Sequence, residues 1–186
     1  MILRRGTAAS VRSARRLPFS EEKLANLGAH MDVVQGSHCV IFPDVEIGAE
    51  TRLGNFVLVR SATRIGCHCM IGSNVDIEGD VEIRDHVALQ SFCYITRGVI
   101  IEDEVFCGPR VTTMNDKTMS YRRSSLTFVR RAPRILRAAR VGGSSVLLPG
   151  VTVGDNALVG AVTVVTRVVP DRAIAVGNRA TSVGAV

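Results

Sequence analysis

The sequence predicts an all-β protein, a parallel β-helix of hexapeptide repeats, on three observations. Large aliphatic residues recur every six positions, from Ile41 through Ile47, Leu53, Val59, Ile65 and Ile71 to Ile101, with Cys107 closing the run. A smaller column precedes them by two residues, beginning Cys39, Val45, Thr51, Val57, Thr63 and Cys69. Glycine often follows the large position, as at Gly48, Gly54, Gly66 and Gly72. Self-similarity at this period marks a β-solenoid. An amphipathic α-helix needs apolar residues near every 3.6 positions, so a six-residue phase drifts off its face within two turns.

Each element follows from the repeat. One hexad supplies a short strand and a turn, and three hexads close a coil of 18 residues. Coils then stack at the strand spacing of roughly 4.8 Å. The large residue points to the axis and the small one fills the corner. Glycine or a short polar residue takes the turn, where a positive φ is expected. The first run ends at Val111 and Thr113, and hexads resume at Ile135, Val141, Leu147, Val153, Val159 and Val165. Thr113 and Ile135 are 22 residues apart, which is not a multiple of six. A loop over 114–134 is therefore expected to leave the coil, and a loop carried by a rigid solenoid is a good place for chemistry. After Val169 the chain meets Pro170 and is expected to leave the repeat. The β-helix domain is bounded at 31–180, with a short tail over 181–186.

Composition agrees with a narrow interior. The 186 residues contain only 4% aromatics and no Trp. No apolar run approaches the roughly 18–20 residues of a membrane helix, so no membrane association is expected. Five cysteines without a secretory signal point to free thiols and a cytoplasmic location. Of the net charge of +6, residues 1–30 hold +4, through Arg4, Arg5, Arg12, Arg15, Arg16 and Lys23 against Glu21 and Glu22. An acid-free, Arg- and Ser-rich start fits a transit peptide or a disordered basic leader, and the leader is the expectation for 1–30. Nucleic-acid binding is not expected, because no aromatic side chains interleave with the arginines to stack bases.

Four constellations are candidates for chemistry. Asn115, Asp116 and Lys117 stand at the loop root, where they either hold a substrate amine or simply make a turn. Eight cations from Lys117 to Arg140 meet no Asp or Glu between Asp116 and Asp155. Such a stretch either attracts an anion or solvates the loop. His68 and His86, 18 apart, extend to Glu50 and Glu104 as a column. The column reads either as a metal site or as an ion-paired surface ladder, and the ladder is expected; no metal site is assigned. Cys39, Cys69, Cys93 and Cys107 fall on inward positions and read as buried structural thiols.

Several strings carry a family likeness. They are Ile-Glu-Asp-Glu-Val-Phe-Cys-Gly-Pro over 101–109, Thr-Met-Asn-Asp over 113–116 and Leu-Leu-Pro-Gly-Val-Thr-Val-Gly over 147–154. Ala-Leu-Val-Gly-Ala over 157–161, Val-Val-Thr over 164–166 and Ala-Val-Gly-Asn over 175–178 add to them. With the hexads they make residues 32–180 resemble the left-handed β-helix acyltransferases, nearest to the N-acetyltransferases of nucleotide-linked 3-amino sugars. The resemblance implies the left hand, a homotrimer with sites between subunits, and acetyl-CoA along the C-terminal coils. It implies that Gly142, Gly160 and Ala161 let pantetheine approach the backbone and that Arg167 meets phosphate. Val162 stands where the family usually has Gly and Arg179 where it has Pro; the second adds a possible phosphate contact.

The resemblance makes Asn115 the residue that orients the attacking amine, and its neighbour Asp116 is expected to accept or relay a proton. An amine needs no strong base, whereas the O-acetyltransferases of this fold use a histidine to activate a hydroxyl. The four histidines all precede residue 87. O-acetylation of a sugar or small alcohol, a non-catalytic scaffold trimer and a β-helix carbonic anhydrase remain the alternatives.

Overall fold

The computed structural model describes residues 33–186; the basic leader expected over 1–30 lies outside the described residues. The chain winds as a left-handed parallel β-helix with three walls. The first wall begins at Val34–Gln35, the second at Val40–Ile41 and the third at Glu46–Ile47, and they hold 9, 7 and 6 strands. Most strands are two residues long. Neighbours within a wall are one coil apart, as in Arg52↔Met70 and Leu53↔Ile71.

A two-residue strand points one side chain out and one in. Arg64 is exposed while Ile65 is fully buried. The inward column of Ile65, Ile71, Ile77, Ile83, Leu89 and Ile95 has no more than 1% exposure. The small column lies inside as well, with Thr51 and Thr63 at 0% and Val57 at 1%. Cys69, Cys93 and Cys107 belong to the same core. Burial pushes the Cys69 and Cys93 thiols up to about 11, and Cys107 higher still. Cys39 and Cys67 are only partly buried. A thiol reagent should therefore titrate two cysteines quickly in the native protein and all five after denaturation. Equal native rates for all five would contradict this core.

The turns differ from the expectation. Glycines after the large position serve coil packing instead of φ. A Cβ on Gly72 would sit 2.5 Å from the Ser91 nitrogen in the next coil, and one on Gly54 would sit 2.5 Å from the Ser73 nitrogen. The positive φ falls two residues later and mostly on larger side chains: Glu50 at 58°, Phe56 at 58°, His68 at 56° and Phe92 at 65°. Such a backbone costs about 1–2 kcal/mol per residue. Its N–H finds a fixed partner in the preceding coil, as from Phe56 to Ser37 O at 2.9 Å and from His68 to Ala49 O at 2.9 Å. Stacking thus holds each turn in a conformation its residue alone would rarely adopt.

The break in period is an insertion at the corner between the second and third walls. Ile100–Ile101 pairs with Arg134–Ile135, a spacing of 34 residues where other coils show 18. The coil is unbroken beneath the inserted loop. The end of the chain corrects the expected exit at Pro170. Ala173–Val176 still pairs in parallel with Leu158–Val159, at a spacing of 16 because the corner between Val165 and Val169 is two residues short, as the Val153↔Val169 bridge already shows. Thr181–Ala185, expected as a tail, then reverses and pairs antiparallel with Ala173–Val176.

Candidate active site

Stacking aligns residues 18 apart, and at the second-to-third corner this builds a cleft at the loop root. Its volume is about 450 Å³, and its walls are Arg60, Glu78, Arg97, Asn115, Phe128 and Arg130. Asn115 stands one coil above Arg97 and donates from Nδ2 to the Arg97 carbonyl at 2.9 Å. That bond fixes which way the amide faces, because only the NH₂ can meet a carbonyl. Oδ1 remains as an acceptor. The Asn115 carbonyl accepts the Arg131 N–H at 2.8 Å, which closes the base of the loop.

Below the amide, Glu78 accepts from the Tyr94 hydroxyl at 2.5 Å and from the Arg97 N–H at 3.3 Å. Burial, then the bond to Glu78, raise the Tyr94 hydroxyl to about 12, so it stays a donor at neutral pH. Arg60 pairs with Asp76 at 2.9 Å and Arg130 with Asp80 at 3.4 Å. The Arg97 guanidinium has no carboxylate partner among the described residues. The cleft thus offers three guanidiniums, one carboxylate, one amide and the exposed ring of Phe128.

Asp116 is adjacent in sequence but does not line the cleft. Its Oδ1 accepts from Thr118 N, Thr118 Oγ1 and Met119 N, and its Oδ2 from Ser120 N, at 2.8–3.2 Å. Desolvation works against the carboxylate, but those hydrogen bonds outweigh it and hold its pKa below the ordinary value. Its geometry is that of a loop staple. The basic stretch is also divided. Arg130 enters the cleft, whereas Arg134 pairs with Glu102 at 3.5 Å and Arg137 with Glu104 at 2.7 Å. Arg140 is tied to the Glu104 carbonyl. Lys117, Arg122 and Arg123 are exposed.

The residues expected to meet acetyl-CoA occupy two corners. Arg167 and Arg179 line a cavity of about 520 Å³ with Val168, Val169, Pro170 and Ala175. Arg167 shares the corner of Asn115, two coils further on, which is about 10 Å at the usual strand spacing. Gly142, Gly160 and Ala161 lie at the corner between the first and second walls. A Cβ on Gly142 would strike Ala161 of the next coil, and one on Gly160 would lie 2.8 Å from Val176 Cγ1. Both glycines let coils meet closely at this corner. Ala161 and Val162 are exposed on the same turn, Val162 at 70% and φ 58°.

The histidine column sits at the remaining corner. His68 and His86 stack with centroids 4.8 Å apart and planes 3° apart, and Glu50 lies 3.3 Å from His68. Glu104 is taken by Arg137. Among the described residues no group of three or more His, Cys, Asp or Glu is placed to hold a metal ion. Reading by hexads missed Arg60, Glu78, Tyr94, Arg97 and Phe128. The 18-residue register would have found Arg97 from Asn115, and the residue before its next step back is Glu78.

Residues 62–97 match the family described as bacterial transferase hexapeptide (six repeats). The chain thus carries that family's repeat, and its β-helix fold extends through the described coils. Over 154 residues it is 28% identical to the bifunctional protein GlmU of Synechococcus sp. (strain CC9311), covering 83% of this chain and 31% of that protein. The chain spans about a third of the length of that relative. PerB from Caulobacter crescentus, solved with CoA and GDP-perosamine, superposes with a TM-score of 0.59 at 21% identity, over 80% of this chain and 58% of PerB. A variant of AntD, an N-acyltransferase from Bacillus cereus solved with dTDP and coenzyme A, gives 0.59 at 17% identity, over 90% and 89%. At these identities the likeness is one of fold. Among the described residues no helix is long and apolar enough to cross a membrane.

Proposed function

We propose that this chain is an acyltransferase that moves an acetyl group from acetyl-CoA to the amine of a nucleotide-linked amino sugar in the cytoplasm. One observation carries the reading: the Asn115 amide, locked by Arg97 with Oδ1 left to accept, in a cleft ringed by three guanidiniums. An amine N–H donates to Oδ1 while guanidiniums bind the diphosphate. The exposed Phe128 ring offers a surface for the base. PerB and AntD, solved with CoA and with a nucleotide sugar or nucleotide, support the reading.

The residues present fit acetyl-CoA as co-substrate. Arg167 and Arg179 supply charge for its phosphates, and Val168, Val169 and Ala175 supply an apolar wall. At the corner between the first and second walls Ala161 offers a small exposed surface, with Gly142 and Gly160 drawing the coils together there. Bound there, acetyl-CoA would supply the activated acyl carbon that the amine attacks. Asp116 acts by holding the loop that carries Asn115. Among the described residues no histidine lines the cleft, which favours an amine acceptor over a hydroxyl. Exposed Met70, Phe106 and Leu158 on the first wall, beside Phe56 and Phe92, support self-association as the homotrimer of the family resemblance.

The test is thiol release from acetyl-CoA with a panel of nucleotide-linked amino sugars and their hydroxyl counterparts. Amino sugars alone should release CoA thiol. Release only with hydroxyl acceptors would move the reading to O-acetylation, and none with either would leave a scaffold.

A further inference from the structure

We infer that Glu78 is the general base of the acyl transfer, taking the proton of the attacking amine. This rests on the acyltransferase reading and names a residue that reading does not require. At neutral pH a sugar ammonium gives one proton to solvent and binds as the neutral amine, and one more proton must leave as nitrogen bonds to the acyl carbon. Of the cleft residues, three are arginines, which stay protonated, and neither Asn115 nor Phe128 is basic. Glu78 is the one group among them that accepts a proton. Asp116 is spent on its own loop.

The geometry brings Glu78 up to the amide. Its residue lies two coils below Asn115, yet the side chain reaches the level between them. Oε2 takes the N–H of Arg97 at 3.3 Å, and the carbonyl of the same residue takes Asn115 Nδ2 at 2.9 Å. One residue's main chain therefore ties the carboxylate to the amide. Tyr94 holds Oε1 at 2.5 Å. Two of the carboxylate's roughly four acceptor positions are used, and the others are available to an incoming N–H. Asn115 Oδ1 takes a second N–H of the same nitrogen. A lone pair on that nitrogen is then left to meet the acyl carbon.

The step balances without any further reactant. The nitrogen–carbon bond forms and the carbon–sulfur bond breaks. Glu78 takes the nitrogen's proton and returns it to the departing sulfur as CoA thiol. The carboxylate ends as it began.

The test compares wild type, Glu78→Gln and Glu78→Asp. Glutamine keeps the shape and an acceptor for Tyr94 but cannot take a proton. Glu78→Gln should lose about a hundredfold in kcat, a typical general-base effect. Its KM for acetyl-CoA and its melting temperature should stay near wild type. Glu78→Asp should recover part of the turnover and keep the acid-side fall in kcat that glutamine loses. A glutamine variant within threefold of wild type, or one with the same pH profile, overturns the base and leaves acyl transfer standing. A wild type that releases no thiol with any amine overturns acyl transfer, and the base with it.

Discussion

Replacing Asn115 by alanine should lower kcat for amine acetylation about a thousandfold while CoA affinity stays within twofold. The size follows from what one fixed polar group aimed at a reacting atom contributes, about 3–4 kcal/mol of barrier. The selectivity follows from position. Asn115 lies in the cleft with Arg97 and Phe128, two coils from Arg167. Loss of the Nδ2 bond to Arg97 costs about 1 kcal/mol of folding stability at most, since that site is open to water. Melting temperature should move little. Thiol-release kinetics beside calorimetric CoA binding separates the effects. Unchanged turnover would remove Asn115 from the site.

The second large effect is structural. Gly72→Ala should destabilise the fold by about 2–3 kcal/mol, because its Cβ would stand 2.5 Å from backbone in the next coil. For a chain of this length that corresponds to a fall of about 5–10 °C in Tm. Gly184→Ala is the matched control. It lies on an exposed strand, and its nearest new contact would be 3.9 Å away, an ordinary packing distance. It should change Tm by less than about 2 °C. Equal melting of the two variants would show that coil stacking tolerates a side chain where the backbones meet.

The coil was legible in the sequence because its core is a one-dimensional pattern. Ile65, Ile71 and Ile77 repeat the same environment, so burial could be read from spacing alone. The turns were only half legible. Gly72 was noticed, but the spacing does not tell close approach from positive φ, and φ belongs to Asn74 instead. The loop announced itself by breaking phase. Its partners did not, since Glu78 and Arg97 sit in hexads that look like all the others. Only stacking brings Glu78, Tyr94 and Arg97 to the root of a loop that begins a coil above Arg97. Asp116 shows the converse: its place beside Asn115 suggested shared chemistry, while local donors draw its carboxylate into the loop.

The unbroken pairing of Ile100–Ile101 with Arg134–Ile135 has a thermal consequence. In a stacked solenoid each turn leans only on the turns beside it, so melting begins at the termini and works inward. Val34 and Val40, in the first described coil, are more than half exposed, and Thr181–Ala185 in the last element is exposed throughout. The amide and carboxylate of the cleft lie in the interior of the stack, anchored to turns flanked on both sides. Warming should therefore unzip the ends before it disturbs the geometry around Asn115.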